Sequence, residues 1–147
     1  MGLQKRINAQ NATGVAGNFA TCNPAHTLVA GLMQHRVGDG GAVIANFAEI
    51  DPSTGLTVQP LTGKNPIGFV GRESNQAIGS TMNMVKGQGI TLHDGGDFFV
   101  AGFDGAKVND PVKCDETGKI TADGTISTTF KVATQADESG LLIITRA

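Results

Sequence analysis

The sequence predicts an all-β fold, a small antiparallel β-barrel or β-sandwich with an extended N-terminal arm, and three observations carry that expectation. Helices need stretches free of glycine and proline, and a chain of 147 residues holding 21 glycines and 5 prolines rarely allows one. The longest such stretch, 125–139 (T-I-S-T-T-F-K-V-A-T-Q-A-D-E-S), is dominated by Thr, Ile, Phe and Val. Their β-branched or aromatic side chains fit a pleated strand better than a helix. Asp-Gly pairs at 39–40, 94–95, 104–105 and 123–124 supply the residues that tight turns between antiparallel strands require.

Short apolar or alternating runs bounded by Gly, Asp, Asn and Pro predict the strands in order: 27–32, 42–50, 67–72, 90–93, 97–103, 111–115, 119–121, 129–133 and 141–145. Within 42–50, Val43, Ala45, Phe47 and Glu49 alternate with Ala42, Ile44, Asn46, Ala48 and Ile50. Both faces are partly apolar, as expected of a strand buried inside a sandwich or barrel. Glu116-Thr117-Gly118-Lys119 reads as a hairpin connection, and His93-Asp94-Gly95-Gly96-Asp97 as a tight turn entering the strand of Phe98, Phe99 and Val100. A chain of this length suits one domain able to bury roughly two-thirds of its unfolded surface.

Residues 1–26 differ from the domain that follows at 27–147. Only Leu3, Ile7, Val15 and Phe19 are sizeable apolar side chains there, too few to build a core. Fixing a backbone costs about 1–2 kcal/mol per residue, so an ordered arm must lie against something else, and a frayed terminus is the alternative.

Composition excludes several function classes. Eleven basic and thirteen acidic residues leave a formal net charge of −2 without a block of either sign, and binding nucleic acid needs clustered Lys and Arg to displace phosphate counterions. The start of the chain lacks the apolar core of a signal peptide, and no apolar run approaches the ~20 residues that span a bilayer. The expectation is a soluble protein made in a cytoplasm, with Cys22 and Cys114 as free thiols and the Asn11-Ala12-Thr13 sequon unused. Catalytic motifs fail one at a time. Val58 stands where a P-loop ending at Gly63-Lys64 needs glycine, Gly87-Gln88-Gly89 lacks a third glycine, and no G-x-S-x-G elbow occurs. His26, His35 and His93 lack metal-ligand spacing, and no motif asks for a cofactor. A carbohydrate-binding module is a rival, but sugar faces are usually gripped by Trp or Tyr, and the chain has neither. A trimeric nucleotide hydrolase also has the right size, yet its base-stacking aromatic and phosphate loops cannot be placed.

Four local patterns carry a resemblance: G-V-A-G-N-F-A-T-C-N-P at 14–24, N-F-A-E-I-D at 46–51, N-P-I-G-F-V-G-R-E-S-N-Q-A at 65–77 and G-Q-G-I-T-L-H-D-G-G-D-F-F-V at 87–100. In their order and rough spacing, over about residues 14–100, they resemble the structural cement, or decoration, proteins of tailed bacteriophage capsids. Gly71 stands where that family often has His, and Phe99 where it has Tyr or Trp.

The resemblance implies a non-enzymatic virion protein, made in the host bacterial cytoplasm. It would dock on the outside of the expanded head, commonly as a homotrimer, and tie major capsid subunits together without touching nucleic acid or membrane. Another virion β-domain, from a tail or fibre base, is the alternative. An arm poor in core residues can lie along a neighbouring subunit, with Leu3, Ile7, Val15 and Phe19 as apolar anchors and Lys5 and Arg6 facing acidic capsid surface. Arg72 and Glu73, adjacent at a strand end, point to opposite faces and cannot bridge one another on one face. Across a symmetric interface each can meet a counterpart on another copy, so Arg72, Glu73, Asn75 and Gln76 are expected between copies or at the base facing the capsid. Met82 and Met84, whose flexible thioethers adapt to irregular surfaces, are weighed as contacts against the alternative of filling core gaps.

Overall fold

The computed structural model describes residues 15–28, 35–61, 68–72, 83–136 and 140–146. Among them the chain forms strands and no helix: β1 (His26–Thr27), β2 (Arg36–Val37), β3 (Ala42–Val43), β4 (Phe47–Ile50), β5 (Thr57–Gln59), β6 (Gly68–Val70), β7 (Asn83–Met84), β8 (Leu92–Ala101), β9 (Pro111–Cys114), β10 (Ile126–Thr134) and β11 (Leu141–Arg146). One sheet runs β2-β5-β4-β6-β8-β11-β10-β9, with β1 added to β8, and β3 pairs with β7 in a separate ribbon. The pairings are antiparallel except that of β2 with β5.

Successive side chains of a strand point to opposite faces, and β4 and β6 use both. Phe47 and Phe69 enter one apolar cluster with Phe98, Val112, Phe130, Leu142 and Ile144. Their neighbours Ala48 and Val70 enter a second with Val37, Ile44, Val58, Met84, Ile90 and Leu92. Phe47, Phe69, Phe98 and Phe130 form the centre of the first cluster, with ring centroids 4.8 to 6.3 Å apart in tilted or edge-on pairs. β6, β8, β11, β10 and β9 curl around that cluster until the loop after β9 returns to β4, where Phe47 N–H donates to the Gly118 carbonyl at 2.8 Å. Among the described residues no strand pairing closes the ring, so the architecture is an open, sandwich-like sheet and not a barrel.

Several expected elements take a different form. The run 42–50 breaks into β3 and β4 at Ala45, whose φ of 67° lies in the left-handed region. The expected strands at 90–93 and 97–103 join into β8, because Asp94-Gly95-Gly96-Asp97 is extended and not a turn. Its bare glycines admit a crossing chain. A Cβ on Gly95 would lie 3.3 Å from that of His26, and one on Gly96 3.0 Å from that of Ala25. The turns at 39–40, 104–105 and 123–124 and the 116–119 connection form as expected.

Candidate functional site

One continuous surface is built where residues 15–27 lie along β8. Gly17 N–H donates to the Phe99 carbonyl (2.8 Å), Phe99 N–H to the Asn18 carbonyl (3.0 Å), and Ala20 N–H to the Asp97 carbonyl (2.9 Å). This places Phe19 opposite Phe98 as a pair whose own backbone groups point away from each other. The Phe19 ring rests 5.0 Å from Phe98 and edge-on at 5.3 Å to His93, yet stays 50 % exposed. Val15 is 49 % exposed. Residues 15–26, the end of the expected arm, therefore lie against the domain as a strap.

Carboxylates of β8 fasten the strap. Asp97 accepts hydrogen bonds from Thr21 Oγ1 (2.6 Å), Asn23 Nδ2 (2.8 Å) and Thr145 Oγ1 of β11 (2.5 Å). Burial pushes the Asp97 carboxyl up, but the bonds from Thr145, Thr21 and Asn23 outweigh it and hold the group below the ordinary carboxylate range. Asp94 Oδ1 meets His26 Nδ1, and the Asp94 carbonyl accepts from Arg146 Nη1 at 2.7 Å.

The same strap meets Arg72. Arg72 N–H donates to the Gly17 carbonyl at 2.8 Å, and its Nε to the Ala16 carbonyl at 3.4 Å. Two glycines permit the approach. Gly17, with φ of 92°, has no room for a Cβ, which would stand 2.6 Å from Ile44 Cγ2, and one on Gly71 would stand 2.9 Å from the His93 ring. The bare Gly71 leaves that space to His93.

Of the expected contact residues, Val15, Phe19 and Arg72 are thus brought to one place. Met84 is instead buried, 3 % exposed in the second apolar cluster, because β7 turns it inward while Asn83 and Val85 face out. Leu3, Lys5, Arg6, Ile7, Glu73, Asn75, Gln76 and Met82 lie outside the described residues. The sequence reading missed the exposed Val43, Val85 and Val108; single valines in short strands and loops give no signal of exposure. It also missed Asp97, Thr21 and Asn23, whose convergence depends on how the strap lies.

Among the described residues, no group of three or more His, Cys, Asp or Glu side chains is placed to hold a metal ion, and no helix is long and apolar enough to cross a membrane. An open cleft of about 240 Å³ lies between Phe103, Asp104, Asp110 and Lys113. Cys22 and Cys114 are both free, the first exposed and the second buried, and burial pushes the Cys114 thiol up to about 11.

Comparison with known proteins gives this surface its setting. A model of the XM1 gp53 minor capsid protein family matches residues 4–146. The chain belongs to that family. As a member of the XM1 gp53 family it is a bacteriophage capsid structural protein whose place is the virion. Its fold is similar to a chain of the solved structure "The capsid of Myoviridae Phage XM1", with a TM-score of 0.64 and 16 % identity over 99 % of this chain and 97 % of that one. No curated protein matches it.

Proposed function

We propose that this gp53-family protein is a cement: it binds the outer surface of the expanded head as a homotrimer and ties neighbouring major capsid subunits together, without catalysis and without touching nucleic acid. The observation that supports this best is the hydrogen bond from Arg72 to Gly17. It brings Gly17 and Arg72, one described residue from each of the two segments expected to make contacts, to one region of the surface, beside half-exposed Val15 and Phe19. Packaged DNA pushes the shell outward, so a reinforcing protein needs many modest contacts across subunit boundaries. Leu3, Lys5, Arg6, Ile7, Val15 and Phe19 supply the capsid side, and Arg72, Glu73, Asn75 and Gln76 the contact between copies or with the capsid base. Met84 is left out of that set because its thioether is spent on the core.

The test is to add purified protein to expanded and unexpanded heads and to measure binding and the temperature at which the heads burst. Cementing predicts binding to expanded heads and a higher bursting temperature. Equal binding to unexpanded shells, or an unchanged bursting temperature, counts against it. Arg72→Glu, followed by mass in solution and head binding, tests the second contact set. An unchanged oligomer that still binds heads removes Arg72 from it.

A further inference from the structure

The open cleft takes in an unpaired piece of sheet edge. β9 is the last strand of the sheet, with β10 on one side. Val112 and Cys114 turn their backbone groups to β10, so Pro111 and Lys113, which alternate with them, turn theirs outward. The loop after β9 covers part of that edge: Thr121 N–H donates to the Lys113 carbonyl (3.2 Å) and Asp115 N–H to the Lys119 carbonyl (2.9 Å). Lys113 N–H and the Pro111 carbonyl have no hydrogen-bond partner among the described residues. The cleft of about 240 Å³ opens along this gap, lined by Phe103, Asp104 and Gly105 from the loop after β8 and by Thr121 and Ala122 from the loop after β9. Pro111 brings no N–H of its own, so the edge offers one donor and one acceptor. Three residues of an antiparallel strand match that spacing, the middle one facing Val112.

We propose that this edge docks a short extended segment of a neighbouring capsid subunit that carries a lysine or arginine. Lys113 N–H donates to a carbonyl of the segment, an N–H of the segment donates to the Pro111 carbonyl, and the basic side chain meets Asp104 and Asp110. The proposal rests on the head-binding role given above, although none of these residues belongs to the contact set named there. An open strand edge takes up an extended chain through backbone bonds, and side chains beside it select which chain. The family's place in the virion makes a capsid chain the neighbour at hand. Charge selects the side chain, since the cleft holds two carboxylates against the one ammonium of Lys113. Asp110 gives Oδ2 to Lys107 N–H (3.0 Å) and keeps its other oxygen, and Asp104 is exposed. The half-buried Phe103 offers apolar surface to the stem of a long basic side chain.

Amide hydrogen exchange of the full-length protein, free and bound to expanded heads, reads the edge directly. Lys113 N–H is expected to exchange fast in the free protein and at least about tenfold more slowly on heads. Lys113→Pro removes the donor at an edge position that proline tolerates, and is expected to weaken head binding about tenfold, the scale of one backbone hydrogen bond left unmade. Lys113→Ala keeps the N–H and is expected to lose far less. Asp104→Lys is expected to weaken binding severalfold at low salt, with the gap closing as salt rises; an unchanged affinity overturns the basic side chain. Thermal unfolding checks that each free variant folds, and if Lys113→Pro does not, exchange in the wild type decides alone. If wild type binds heads while Lys113 N–H stays fast on them and Lys113→Pro binds equally well, the docking site is wrong and the cement reading stands. Equal losses in Lys113→Pro and Lys113→Ala place the effect on the ammonium and overturn strand addition. A Lys113 N–H already slow in the free protein, and faster on dilution, means that a second copy covers the edge, which also overturns it. If wild type does not bind heads, the cement reading fails and the docking site with it.

Discussion

Cys22 and Cys114 are the same residue type in opposite surroundings. Cys114 lies against Val112 and Ile126 in the first apolar cluster, and burial, with the Asp115 charge beside it, pushes its thiol up to about 11. The thiolate is the reactive form, so a thiol-specific reagent at neutral pH is expected to label Cys22 quickly and Cys114 only after unfolding. Two fast thiols would mean that the first cluster opens readily. The raised value also sets a sign: its contribution to stability is complete below the ordinary thiol range and is lost as pH rises through about 11. Carboxylates act at the other end. Asp97 is held low as described. Asp115, which burial pushes up, is held low by the Thr117 hydroxyl and by the Thr117 and Lys119 backbone N–H groups, and Asp51 is held low by the Ser53 hydroxyl and N–H. Groups with depressed values contribute stability above the ordinary carboxylate range, and that contribution disappears as pH falls through their folded values. Burial holds the His35 imidazole below its ordinary range, so denaturant unfolding should show stability declining gently as pH falls through that range and more steeply below about pH 4, with a shallower steep phase in Asp115→Asn.

The loop after β9 is the element on which the curl of the sheet depends. Asp115 shapes it by accepting from Thr117 N–H at 2.9 Å and Lys119 N–H at 3.1 Å, which turns Gly118 onto β4. Gly118 has φ of 87°, and a Cβ there would stand 2.0 Å from the Phe47 carbonyl oxygen. Backbone on both sides leaves nothing flexible to give way. Gly118→Ala must open the contact between this loop and β4, at a cost of about 2 kcal/mol or more, seen as a lower melting temperature. Gly105→Ala is the control: its φ is also positive, at 75°, but a Cβ there meets nothing within 4 Å, so only the strain remains and the loss should be smaller.

Across the whole molecule, β4 and β6 form a wall shared by two apolar clusters, since Phe47 and Phe69 face one and Ala48 and Val70 the other. Neither cluster can lose its packing without exposing residues of the strands that build the other. Calorimetry is expected to show one cooperative transition, lowered as a whole by Phe69→Ala, where removing a buried ring costs about 3–5 kcal/mol. Two separate transitions would show that the clusters fold independently. Much of this architecture was legible in the chain. The all-β class, β4, β6, β9, β10, β11 and most of the turns follow from runs of side chains whose period and boundaries are local. The two-residue β2 and β7 and the three-residue β5 are too short to show a period, and no feature of Ala45 announces its left-handed backbone. Asp94-Gly95-Gly96-Asp97 carries the letters of a turn, but its glycines serve the strap that crosses them. Sequence by itself determined the all-β class and the longer extended segments, because both depend on covalent neighbours. Only the tertiary structure decided that Arg72 meets Ala16, 56 positions away, and that Asp97 gathers Thr21, Asn23 and Thr145. Such partners are chosen by which polar groups remain to be satisfied once the apolar faces have closed, and that choice is not local.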